Sequence, residues 1–158
     1  MDQYYEYRHV VEFDETSHVG NVYHVNLVRW QGRCREMFLL EHAPSVLDGL
    51  RGELELVTLE SGCECLSGIR AFDELSIRMR LEELTMTRIG LAFDYVCISE
   101  GAEELVARGW QRVACMRGAD GASAPARVPE PLRLALERYA VSRPRRIGSV
   151  RLGAGGRA

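Results

Sequence analysis

Residues Val11–Leu40 read VEFDETSHVGNVYHVNLVRWQGRCREMFLL, and the order of patterns within them decides the fold. The run opens on the end of a β-branched and aromatic segment, crosses polar turn residues, and then carries apolar side chains at Leu27, Trp30, Cys34, Met37 and Phe38. Steps of three and four place those five on one helical stripe. A helix is therefore expected from Asn26 to His42, stopped by Pro44. Gly20 and Asn21 stand where the chain must turn, because both tolerate positive φ. The first N–H groups of such a helix have no partner within it and can hold developing negative charge.

Outward from this stretch the chain reads as sheet. Tyr4–Phe13 (YYEYRHVVEF) is a first strand by composition. Asp14–Asn21 is the turn, and Ser45–Gly52 is a short irregular or helical segment. Four strands follow in succession: Glu53–Cys65, Leu75–Leu84, Ile89–Ile98 and Glu104–Met116. Leu75, Ile77, Met79 and Leu81 alternate with Ser76, Arg78, Arg80 and Glu82, so the first set faces in and the second out. Leu91, Phe93, Tyr95 and Cys97 share one side of the next strand. Consecutive strands joined by short turns imply an antiparallel meander. Asp120–Val128 (DGASAPARV) reads as a small-residue linker, and Glu130–Val141 as a helix with Pro131 near its start. One long helix among long antiparallel strands gives an α+β domain, a sheet curled around a helix, over residues 1–141. Residues 142–158 are Arg- and Gly-rich with little to bury, and disorder is expected there.

Composition narrows the function classes. The chain has 158 residues, 46% hydrophobic and 27% charged, enough for one domain with a proper core. A net charge of -3 argues against general nucleic-acid binding. No apolar run approaches a membrane span and the first residues lack a signal-peptide profile, so a cytoplasmic location is expected. The five cysteines, Cys34, Cys63, Cys65, Cys97 and Cys115, are odd in number and read as buried thiols. His9, His18, His24 and His42 fall at neither metal nor triad spacing.

The run FDETSHVGNVYHVNLVRWQGRCREMF resembles the signature of hotdog-fold thioesterases of the 4-hydroxybenzoyl-CoA thioesterase type. VGNVYHVN followed by RWQGRCRE is similar, within that family, to the thioesterases of enediyne polyketide pathways. The resemblance covers most of residues 4–117. It implies a hotdog fold and hydrolysis of a polyene or β-keto acyl chain from the acyl carrier protein of an iterative polyketide synthase. It also implies a dimer with sites at the subunit interface, paired into a tetramer, and no metal or cofactor.

The resemblance also implies the site. The benzoyl-CoA type carries an Asp in the loop where this chain has Ser17, and the enediyne group likewise places an uncharged polar side chain there. Arg35 stands at the helix position of the enediyne group's functional Arg and would hold the thioester carbonyl or oxyanion. Helical geometry alone puts Arg35 at the margin of the apolar stripe beside Gln31. The bland reading is a boundary Arg paired with a carboxylate. Asn21, Tyr23 and Asn26 line the start of the helix, with the N–H groups of Val22 and Tyr23 as oxyanion donors; capping is their structural alternative. Counting by two from Leu54 and Leu56 puts Thr58 on the inner face, where the enediyne group has a pocket Thr. The acyl chain would rest on Gly20, Val22, Leu27 and Gln31. Glu36 reads as an ion-pair partner more than a base. Three functions stand at this stage: a carrier-protein thioesterase, an acyl-CoA thioesterase of the same fold, and a non-catalytic acyl-binding protein.

Overall fold

A computed structural model describes residues 3–119 and 122–142 of the chain. Its elements are β1 (Tyr5–Val10), a 3-10 turn (Phe13–Glu15), α1 (His24–His42), α2 (Pro44–Leu50), β2 (Leu54–Cys65), β3 (Glu74–Leu84), β4 (Arg88–Ser99), β5 (Ala102–Ala119), β6 (Ala122–Pro125) and α3 (Glu130–Glu137). The sheet runs β1-β3-β4-β5-β2, antiparallel throughout, with β6 added on β5. Between β1 and β3 in sequence lie α1, α2 and β2, so α1 crosses the concave face before β2 takes the far edge. This is the hotdog arrangement that the resemblance implies, but not the four-strand meander read from the succession of strands: only β3, β4 and β5 pair in order, because α1 and α2 leave β2 on the far side, where it pairs with β5.

The inner face follows the alternation of the strands. Leu75, Ile77, Met79 and Leu81 are buried, as are Leu91, Phe93 and Tyr95. From α1, Leu27, Trp30, Cys34 and Phe38 meet them, joined by Gln31 and Leu39. Burial of that stripe against the sheet is what makes a helix of modest intrinsic amphipathicity stable here. The Tyr95 hydroxyl donates to the Leu27 carbonyl and ties the first turn of α1 to β4.

Five local expectations need correction. The first strand ends at Val10, and Phe13–Glu15 form a 3-10 turn because Glu12 and Glu15 cap each other's backbone. Ser76 faces the convex side yet is fully buried, since Glu6 and Arg78 close over its hydroxyl. The stretch read as a linker includes β6, which pairs with Met116–Ala119. Small side chains hid a strand whose stability comes from ladder hydrogen bonds. Of the cysteines, all free, Cys34 and Cys115 are buried, but Cys65 at the end of β2 is exposed. The final helix stops at Glu137, and beyond it Ala140 and Val141 run beside Leu81. The Arg/Gly-rich tail lies outside the described residues from 143 onward.

Candidate active site

The chain first builds a turn. The Ser17 N–H donates to the Asn21 carbonyl at 2.8 Å, and the Gly20 N–H returns to Ser17 at 2.8 Å. Gly20 closes this turn at φ +88°, a conformation most side chains resist. The Thr16–Val22 bridge closes the loop on itself, and the Asn21–Arg70 bridge fastens it to the segment before β3.

Those bridges alter the oxyanion argument. The Val22 N–H donates to the Ile69 carbonyl at 2.9 Å, and the Tyr23 N–H to the Glu15 carbonyl at 3.2 Å. Both N–H groups expected to form an oxyanion hole are thus engaged. The N–H groups left without an intrahelical acceptor are those of the first helical residues, His24 and Val25. Asn26 is buried, and its amide donates to the Glu15 carbonyl at 2.8 Å. Tyr23 and Asn21 are exposed, Ser17 is half-buried, Val22 packs on the core, and Leu27 lies within it.

Glu15 organises the loop from beneath, a role the sequence did not suggest. One oxygen accepts from His9 Nε2 and the Glu12 N–H, both at 2.8 Å; the other accepts from Trp30 Nε1 at 2.7 Å. Burial works to raise the carboxyl's pKa, but these three donors outweigh it and hold it below the ordinary carboxylate range. With both oxygens committed, Glu15 is a structural anchor and not a base for catalysis. It borders a polar cleft of about 280 Å³ with His9, Asn26, Arg29, Trp30 and Arg33.

A second cluster forms two turns further along α1. Arg35 is half-buried, and its guanidinium donates to Gln111 Oε1 at 3.1 Å and to Thr58 Oγ1 at 3.4 Å. Thr58 is on the inner face as its register with Val113 requires, although exposed. Among the described residues no carboxylate forms an ion pair with Arg35; Glu36 pairs instead with Arg33 at 3.7 Å. Desolvation lowers the Arg35 pKa and the neighbouring Glu36 charge counters it. A guanidinium stays charged regardless, so a cation stands here with only neutral partners. Within the chain, then, an amide and a hydroxyl hold the guanidinium, not the neighbouring carboxylate.

Arg35 lies on the wall between two spaces. Inward is an apolar cavity of about 10 Å³, bounded by Phe38, Leu56, Met79, Leu91, Val113 and, from α3, Leu132 and Leu136. That is about one water's worth of room. Outward, an open cleft of about 420 Å³ runs between α1 and α2 along Met37, Leu40, Leu47, Leu50 and Leu56. Gln31 is wholly buried, with its Nε2 donating to the Gly62 carbonyl at 2.9 Å. It reaches there because Gly109 has no side chain: a Cβ would sit 2.1 Å from that nitrogen.

The predicted residues therefore fall into two groups. Ser17, Gly20, Asn21, Val22, Tyr23 and Asn26 gather at the start of α1, and Arg35 with Thr58 at its middle. Arg35 stands nine positions beyond Asn26 on the helix, about 14 Å along the axis. The residue missed was Gln111, whose signal was faint: one amide in an otherwise inward apolar series on β5.

The curled sheet, the single long helix in its concavity and the polar loop at the helix start define a hotdog-fold thioester hydrolase. No family model matches the sequence, and no curated protein matches it. Among solved structures, the dynemicin thioesterase is 48% identical, with a TM-score of 0.85 over 88% of this chain and 99% of that one. Its crystal structures concern induced-fit and allosteric effects upon polyene binding. A 4-hydroxybenzoyl-CoA thioesterase variant complexed with 4-hydroxybenzoyl-CoA (13% identity, TM-score 0.75, 85% and 99% covered) shares the fold. So does a 1,4-dihydroxy-2-naphthoyl-CoA thioesterase from Synechocystis (18%, 0.68, 84% and 95%). The chain belongs to the enediyne-associated hotdog thioesterases.

Proposed function

We propose that this enzyme hydrolyses the thioester of a polyene or β-keto polyketide chain held on the phosphopantetheine arm of an acyl carrier protein. The observation that carries this reading is Arg35: an unneutralised cation on the wall between an open apolar cleft and an apolar cavity. Water adds to the thioester carbonyl, and the resulting oxyanion lies against the guanidinium. Its collapse expels the thiolate, which takes up the proton that the attacking water gave up and leaves as the carrier's thiol, with the acyl chain released as the acid. Arg35 supplies charge and cannot act as the base. Orientation of the water then falls to the neutral loop groups, Ser17 and Asn21, and to the N–H groups of His24 and Val25.

Two clusters about 14 Å apart on one helix cannot touch one carbonyl, because catalytic hydrogen bonds reach about 3 Å. The reading therefore includes a second copy of the chain, whose loop would meet the Arg35 of the first. The free edge of β2, with Val57 and Leu59 exposed, supports such a copy, since unpaired edges recruit strands. The inner cavity must widen to take a chain, and Leu132 and Leu136 of the short α3 are the walls with the least sheet behind them. The similarity to a thioesterase with polyene-binding structures supports a polyene as the acyl group.

Matched acyl-carrier-protein and acyl-CoA thioesters, given to wild type and Arg35→Ala, test this. The carrier thioester should be preferred, and Arg35→Ala should lower kcat by about 10²–10³, the usual cost of one oxyanion contact. Equal turnover of the CoA ester would refute the carrier assignment. An unimpaired Arg35→Ala would refute the mechanism.

A further inference from the structure

Gln111 sits mid-strand on β5, opposite Leu91 of β4 and Ser61 of β2, and is 4% exposed. Its side chain shares the concave face with Val113, among apolar walls where a Leu or Met would pack without desolvating an amide. The amide is therefore kept for a contact, and that contact is Arg35 at 3.1 Å. Guanidinium offers only donors, so the amide oxygen must face it. A carboxylate at the same place would hold Arg35 as firmly, but as an ion pair in a poorly solvated site it would cancel much of the cation's field. A neutral acceptor holds the side chain and leaves the charge. Thr58, the other partner, is neutral too.

We propose that Gln111 is a positioning residue, whose amide oxygen aims the Arg35 guanidinium at the thioester carbonyl while leaving its positive charge free for the oxyanion. This rests on the thioesterase reading with Arg35 as the oxyanion contact.

Two substitutions separate aim from charge. Gln111→Met keeps the volume and removes the acceptor; Gln111→Glu keeps the acceptor and adds the neutralising charge. Each is made alone and with Arg35→Ala, and kcat, KM and the melting temperature are measured in the full-length protein. Both single variants should lower kcat about 10- to 100-fold, as small misplacements of catalytic groups do, with KM within about twofold. Gln111→Glu should melt no lower than wild type while losing activity, a combination that a purely structural role does not produce. On the Arg35→Ala background neither change should slow the residual rate further. Wild-type kcat in either single variant overturns the proposal, as does a Gln111→Met defect of equal factor with or without Arg35. An unimpaired Arg35→Ala would sink the catalytic reading and this proposal together, whereas an impaired Arg35→Ala beside unimpaired Gln111 variants would sink the proposal alone.

Discussion

Mixing two inactive subunits distinguishes a site shared between copies from one contained in a single chain. The loop is fastened to Ile69 and Arg70, whereas Arg35 is fastened to Thr58 and Gln111. The two clusters cannot drift together without breaking those bonds. Arg35→Ala disables one half, and whichever of Ser17→Ala or Asn21→Ala is more damaging disables the other. The two tagged forms are co-expressed, and the doubly tagged species is purified and assayed on an acyl thioester. If each site draws its loop from one copy and its Arg35 from the other, a mixed dimer has one site with both lesions and one with none. Its activity should be about half that of the wild-type dimer, and a random one-to-one mixture should show about a quarter. If each chain holds a complete site, every site in the mixture carries one lesion, and activity stays near that of the separate variants. That second result would refute the shared site. A loop variant with full activity would refute the loop's part in it.

Two further outcomes follow from the packing. Glu15→Gln should destabilise the fold by about 1.5–3 kcal/mol at neutral pH, because three donors lose a charged acceptor. Since the folded carboxyl's pKa is depressed, its contribution is full above the unfolded value and fades as pH falls through the folded one. Urea melts should therefore show the gap between wild type and variant closing in acid, and a gap that widens in acid would contradict the assignment. Gly109→Ala should cost about 1–3 kcal/mol, since the new methyl would meet the buried Gln31 amide and break its bond to Gly62. A variant that melts with wild type would show that Gln31 has room to move.

Much of the fold was legible because its signals are local. The apolar steps from Leu27 to Phe38 and the alternation from Leu75 to Leu81 are imposed by the periods of helix and strand, whatever surrounds them. The likeness of residues 13–38 to a known signature then supplied Arg35 and the loop as candidates. Local signals failed where tertiary bonds decide. The β6 segment has no apolar period, and only pairing with β5 makes it a strand. Ser76 looks like a surface residue until Glu6 and Arg78 close over it. Val22 and Tyr23 appear to offer free N–H groups until Ile69 and Glu15 accept from them.

By itself, then, the sequence determined the long helix, the five long strands and the inner face of β3 and β4, because backbone geometry reads neighbours a few residues away, and the likeness of residues 13–38 to a known signature added the family. Only the tertiary structure decided what Arg35 is. Residues 58 and 111 approach it from different strands, and whether an arginine meets a carboxylate or an amide depends on sheet register across 76 positions of chain. No period of the sequence encodes that meeting.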